Sequence, residues 1–226
     1  MKLRNITMTI ITLIIMSIIL IFINQQKNNS FEKLESEEVE NEDYTINSKD
    51  TGSDTLLIAI HGGGLEPGTT ELVEYIAKEN NYSYYTFNGI KKSGNRKMHI
   101  TSTDYDEPLA LELVNKSLIT LSFHGYDEPN KKHTYVGGLD TALVKKVIEQ
   151  LNEANFSASI APESLDGSEK DNIVNQNNKN KGVQLELSTA QREEFFKNND
   201  LSRENRKNKQ AAFYDYIEAI EKVLEK

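Results

Sequence analysis

Apolar residues fall into three patterns along this chain. From Ile6 to Ile23 they form a nearly unbroken run, broken only by Thr7, Thr9, Thr12 and Ser17. From 25 to 53 no apolar period is sustained. From Asp54 onward, short apolar runs alternate with segments whose apolar residues recur every three or four positions, the mark of strands alternating with amphipathic helices.

The third region divides readily. Leu56–Ile60 is a buried-strand run, and Thr69 or Thr70 can cap a helix reaching about Glu79 with Leu72, Val73, Ile76 and Ala77 on one face. Tyr82–Phe87 and Met98–Ser102 read as strands, Pro108–Lys116 as a short helix, and Leu118–Phe123 as a strand ending at His124. Leu139–Ala154 is amphipathic, Phe156–Ile160 and Val183–Leu187 are strand-like, and helices are expected near Thr189–Lys197 and Arg206–Leu224. This alternation predicts an α/β three-layer sandwich with a mixed, largely parallel sheet. Sites in such sheets lie beyond the carboxyl ends of the strands.

The first two regions differ in charge. Lys2 and Arg4 precede the apolar run, whose roughly 18 residues span about 27 Å as a helix, enough for a bilayer. Asn24-Gln25-Gln26-Lys27 offers no small-residue cleavage site. Residues 1–24 are therefore expected to be a signal anchor, with a cleaved signal peptide as the alternative. The positive end would stay inside, making the remainder extracytoplasmic and membrane-anchored or secreted. Residues 25–53, with seven acids against Lys33 between 30 and 43, are expected to form a disordered acidic linker. Residues 54–226 then make the globular domain. The net charge of −9 argues against nucleic-acid binding, and the lack of cysteine excludes disulfides, thiolate metal sites and a cysteine nucleophile.

Chemistry gathers at the predicted strand ends. His61 and His124 each terminate an apolar run, and Glu66 follows His61 across Gly62, Gly63 and Gly64. A capping role would serve either histidine taken singly. Both at strand ends, with a carboxylate on a glycine loop able to reverse tightly, make a His₂Glu set of the kind that holds catalytic zinc. In Val183–Leu187, alternation puts Gln184 and Glu186 together on one face. Glu186 near the strand end could serve as a base, although the strand alone equally suits an outward-facing glutamate. His99, inside a predicted strand, and His133, in a polar loop, are given no role. Glu71 is explained by the helix dipole. The loops leaving the strands are basic (Lys91, Lys92, Arg96, Lys97; Lys131, Lys132; Lys179, Lys181), which would suit an anionic substrate.

His-Gly-Gly-Gly also occurs as an esterase oxyanion motif, but no Gly-x-Ser-x-Gly elbow is present. A phosphate loop would need Gly-Lys-Ser/Thr or Gly-x-Gly-x-x-Gly, and neither occurs.

Four ordered motifs, Ile60-His61-Gly62-Gly63-Gly64-Leu65-Glu66-Pro67-Gly68-Thr69, Met98–Thr103 with Asp106-Glu107-Pro108, Ser122-Phe123-His124-Gly125, and Gly182–Ser188, resemble the poly-γ-glutamate hydrolase family of phages and their bacterial hosts. The resemblance runs from about Thr51 to Arg192. It implies a fold similar to the zinc carboxypeptidases, one zinc ion held by His61, Glu66 and His124, and Glu186 as general base. It also implies hydrolysis of γ-glutamyl amide bonds in anionic poly-γ-glutamate or a γ-glutamyl peptide. Arg192 and Arg96 are candidate binders of substrate carboxylates. Two other readings stand beside it: a zinc amidase acting on cell-wall γ-glutamyl peptides or N-acyl amino acids, and a membrane-tethered binding module without catalysis.

Overall fold

The strand Thr55–Gly63 (β2) is buried over its whole length and lies near the middle of a seven-stranded sheet. The computed structural model describes residues 11, 14–16 and 30–225. The other strands are Tyr44–Lys49 (β1), Ser83–Gly89 (β3), Ile119–Tyr126 (β4), Thr134–Gly137 (β5), Ala158–Ile160 (β6) and Val183–Ser188 (β7). Their order is β1-β3-β2-β4-β7-β5-β6. Pairings β2–β3, β2–β4, β4–β7 and β5–β6 are parallel, whereas β1–β3 and β5–β7 are antiparallel. The expected mixed, largely parallel α/β sheet is therefore present.

Side-chain alternation divides the core between the two faces of this sheet. Leu57 and Ala59 of β2, Leu121 and Phe123 of β4, and Val183, Leu185 and Leu187 of β7 face one way. They pack on the helices Thr69–Asn80 (α2), Thr141–Glu153 (α4) and Ala211–Leu224 (α6). Leu56, Ile58 and Ile60 face the other way, against Phe31–Glu37 (α1) and Pro108–Lys116 (α3). These are the three layers.

Local chemistry sets the helix ends. The Glu107 carboxylate accepts from Leu109 N and Ala110 N at 3.1 and 2.6 Å, with Pro108 in the first turn of α3. Asn81 ends α2 in the left-handed conformation, φ 52°, which asparagine tolerates better than most residues. Gln191 N donates to Ser188 Oγ at 3.0 Å at the start of Thr189–Glu194 (α5).

Three expectations need correction. Residues 30–49 are not a disordered linker: Phe31, Leu34 and Tyr44 are buried in the second core, and β1 forms the sheet edge against β3. Three apolar side chains were too few to show a period, but they are enough to dock a seven-residue helix and an edge strand. Met98–Ser102 is not a strand; Asn95–Met98 is a 3-10 turn, and His99–Ser102 follows it without joining the sheet. His133, expected in a polar loop, leads directly into the short strand β5, which was not anticipated.

The apolar run Ile6–Ile23 lies almost wholly outside the described residues. Among the described residues no helix is long and apolar enough to cross a membrane.

Candidate metal centre

Strand β2 connects through α2 to β3 on one side, and the chain then crosses to β4 on the other. The crevice between the carboxyl ends of β2 and β4 is the position where open α/β sheets place ligands. A cavity of about 810 Å³ opens there, lined by His61, Glu66, His99, His124, Gln184, Glu186 and Arg192 among others.

The β2 end is built to aim two side chains at one point. Its pairing with β3 shifts register between Ala59 and Gly62, a bulge that re-aims His61. Gly63 has φ +66°, and a Cβ on Gly62 would lie 2.1 Å from Thr70 Oγ1, so both positions require glycine. Thr70 Oγ1 accepts from Gly63 N and donates to Asn88 Oδ1, fastening the loop to β3. Glu66 N donates to His61 O at 2.9 Å, closing the turn.

Glu66 Oε1 consequently stands 3.1 Å from His61 Nδ1, and Glu66 Oε2 stands 3.4 Å from His124 Nδ1. The two Nδ1 atoms are 3.1 Å apart. A zinc ion with bonds of about 2.0–2.1 Å in tetrahedral geometry has ligand atoms roughly 3.3 Å apart; the two Nδ1 atoms are separated by about that much, and the Glu66 carboxylate straddles them, Oε1 toward His61 and Oε2 toward His124. The outer nitrogens agree. His61 Nε2 is 2.7 Å from the Ile100 carbonyl, which can only accept; Nε2 therefore carries the proton and Nδ1 presents its lone pair. His124 Nε2 is 2.7 Å from Ser122 Oγ, which can take the equivalent proton.

Electrostatics points the same way. Burial pushes His61 below the usual imidazole range despite the Glu66 carboxylate beside it, leaving the ring neutral. Burial opposes ionisation of Glu66, but the surrounding imidazoles prevail and hold its carboxyl well below the ordinary range. For His124, burial is outweighed by Glu66, and its pKa rises. An ionised carboxylate beside buried imidazoles is a set that a divalent cation would satisfy.

Glu186 sits on β7 opposite His124 in register, on the face that the alternation assigned. Burial raises its pKa to about 7. Gln184 Nε2 donates to Glu186 Oε1 at 2.9 Å, Gln184 Oε1 accepts from Asn172 Nδ2 at 3.0 Å, and Asn172 Oδ1 accepts from Val174 N at 3.1 Å. This relay fixes which way the Gln184 amide points and so orients the carboxyl group. Asn172, ahead of β7 in the chain, thus belongs to the site.

The remaining expected residues lie as follows. Arg192 lines the cavity but is only 5% exposed. Its guanidinium donates to the carbonyls of Leu187, Pro67 and Tyr126 and to Thr189 Oγ1. It ties the glycine loop to the ends of β4 and β7, and a Cβ on Gly125 would collide with it at 2.6 Å. Arg96 lies exposed on the rim. The expectation of a generally basic mouth is corrected: Lys91 pairs with Glu38, Lys132 with Glu194 and Lys181 with Asp140, and Arg96 and Arg192 are the basic residues lining the cavity. Glu163, Asp166 and Glu169 form part of its wall. Glu71 is more than helix decoration, since its carboxylate pairs with the buried Arg206 at 2.7 Å.

Sequence reasoning missed His99. Its ring stacks on His61 with centroids 3.8 Å apart and planes 21° apart, and its Nε2 lies 3.7 Å from Glu66 Oε1. His61, Glu66 and His99 also form a group whose ligating atoms lie within 4.8 Å of one another. His124 is the better third ligand, because it is buried, its Nδ1 lies 3.1 Å from His61 Nδ1 and its Nε2 is held by Ser122 Oγ, whereas His99 is 38% exposed and 3.7 Å from the carboxylate. The signal that could have located His99 was Asn95-Arg96-Lys97, polar residues ill suited to opening a buried strand.

Comparison with known proteins places the chain in a family. The family model described as poly-gamma-glutamate hydrolase matches residues 28–219. The chain is 41% identical over 203 residues to the SPbeta prophage-derived protein YoqZ of Bacillus subtilis (strain 168), covering 88% of this chain and 71% of that one. It is 42% identical over 195 residues to YmaC of the same organism, covering 85% and 80%. Among solved structures, a bacteriophage poly-gamma-glutamate hydrolase superposes with a TM-score of 0.85 at 40% identity, over 87% of this chain and 95% of that one. A structure described as YNDL-apo (zinc-free) superposes with a TM-score of 0.81 at 35% identity, over 87% and 96%. The chain belongs to the poly-gamma-glutamate hydrolase family.

Proposed function

We propose that this protein is a zinc-dependent hydrolase that cleaves γ-glutamyl amide bonds of poly-γ-glutamate outside the cytoplasmic membrane. The observation that carries the reading is the convergence of His61 Nδ1, His124 Nδ1 and the Glu66 carboxylate at 3.1–3.4 Å. A relative's structure distinguished as zinc-free supports zinc as the ion. The extracytoplasmic placement is supported by Lys2 and Arg4 ahead of the apolar run.

His61, Glu66 and His124 would hold the ion, which supplies Lewis-acid polarisation of the scissile carbonyl and acidification of water. Glu186, across the β4–β7 pair, takes a proton from the attacking water as the C–O bond forms. It returns that proton to the leaving nitrogen as the C–N bond breaks. Gln184 and Asn172 keep its carboxyl aimed, and Arg192 keeps the loop bearing Glu66 in place.

The test is shortening of poly-γ-glutamate by the purified full chain, with and without a chelator, alongside measured metal content. A correctly folded His61→Ala protein that still cleaves would end the metal mechanism. One observation favours a second reading, hydrolysis of short γ-glutamyl peptides: Glu163, Asp166 and Glu169 in the wall disfavour a dense polyanion. Faster cleavage of short γ-glutamyl peptides than of polymer would select it.

A further inference from the structure

We propose that His99 is a further catalytic residue, whose imidazole donates a hydrogen bond to the oxygen of the scissile carbonyl as that oxygen gains negative charge. The proposal rests on the hydrolase reading above.

Hydrolysis of an amide builds charge on the carbonyl oxygen, and a preorganised donor aimed at it is among the largest single contributions to such catalysis. The obvious cationic candidate does not fill this role. Arg192 spends donors from all three guanidinium nitrogens on Leu187 O, Pro67 O, Tyr126 O and Thr189 Oγ1. Turning it toward substrate would break the contacts that hold the Glu66 loop.

His99 is placed differently. Its side chain is 38% exposed, against 3% for His61 and for His124, and it lines the cavity that substrate must enter. Its 3.7 Å separation from Glu66 Oε1 exceeds both hydrogen-bond length and the roughly 3.3 Å edge expected between two ligands of one zinc. The stacking on His61 explains this offset. The His99 ring lies nearly parallel to the His61 ring, centroids 3.8 Å apart, so the two imidazoles are layered and do not point edge-on at each other. His99 Nε2, 3.7 Å from the Glu66 carboxylate on the cavity lining, is within reach of a carbonyl oxygen that comes up to that carboxylate. An imidazole carries an N–H in either protonation state, which suffices for the donation. Asn95–Met98 supports the position: Met98 and Ile100 on either side of His99 are buried in the second core, and Ile100 O holds the His61 proton. His99 is thus presented from a fixed backbone.

The test uses the full chain with His99→Ala and His99→Gln. Zinc content is measured first. A phosphinate analogue of a γ-glutamyl dipeptide, tetrahedral at the reacting centre, and the free dipeptide product are then titrated by calorimetry. His99→Ala should retain one zinc per chain, bind the phosphinate about 10²-fold more weakly, and bind the product within about twofold. Its kcat should fall about 10²–10³-fold with little change in KM, and His99→Gln, which keeps an N–H donor, should recover part of both losses. Loss of zinc from His99→Ala would make His99 a ligand and overturn the proposal. Equal weakening of phosphinate and product, or unchanged phosphinate affinity, would overturn it as well. A wild-type chain without zinc or cleavage would instead remove the reading on which it rests.

Discussion

At the residue scale, Glu186 illustrates a conflict between stability and function. Its pKa, raised from 4.5 to about 7 by burial, means that the folded, metal-free protein binds more protons there than the unfolded chain does between those pH values. Stability must therefore fall as pH rises through that window, and the full cost, up to about 3 kcal/mol, stands above it. Glu186→Gln removes the charge yet keeps an acceptor for Gln184. In chelated samples it should melt several degrees higher than wild type at pH 8 and nearly level with it at pH 4, at about 2–4 °C per kcal/mol. Differential scanning calorimetry at the two pH values checks this. The same variant should lose roughly 10²–10⁴-fold in polymer cleavage. Gln184→Ala leaves the Glu186 carboxyl unaimed while the ligands stay in place. It should lower kcat about tenfold or more at unchanged zinc content, read by steady-state kinetics beside metal analysis.

At the element scale, the strand-to-glycine junction is the part least tolerant of change. A methyl on Gly62 would meet Thr70 Oγ1 at 2.1 Å, Asn88 Oδ1 at 2.6 Å and Phe87 O at 2.9 Å. Two of these belong to β3, so helix α2 and strand β3 would both have to yield. Gly62→Ala should cost about 1–3 kcal/mol of stability by urea denaturation. It should also weaken zinc, because the bulge that aims His61 and the turn that returns Glu66 share this backbone. Zinc retention measured against a competing chelator separates that effect from simple loss of fold.

At the scale of the whole molecule, the segment ahead of the central sheet belongs to it. Phe31 is 4% exposed and makes edge contacts with the rings of Tyr44 and Phe87. Phe31→Ala should destabilise the protein by about 3–5 kcal/mol, and a chain starting at residue 45 should lose at least as much. Urea midpoints with unchanged m-values would check the first claim. A Phe31→Ala protein as stable as wild type would return the segment to the role of a tether.

Periodicity carried most of this structure in the sequence. The buried runs of β2, β4 and β7 and the amphipathic faces of α2, α4 and α6 are local signals, so the sheet and its layers were readable. So was the side of β7 that Glu186 occupies, because strand alternation has a period of two. The convergence of His61, Glu66 and His124 could be anticipated from strand ends and a glycine loop, with the family resemblance adding the role of Glu186. Tertiary structure alone decided the rest. Which lysines face the cavity depended on long-range partners such as Glu38 and Asp140. The employment of Arg192 depended on carbonyls brought together from three elements, and the docking of residues 30–49 on a core built from distant strands and helices downstream. His99 had no strand to end and no period to join. Its place over His61 exists because Met98 and Ile100 on either side of it are buried anchors, a proximity that no local pattern encodes.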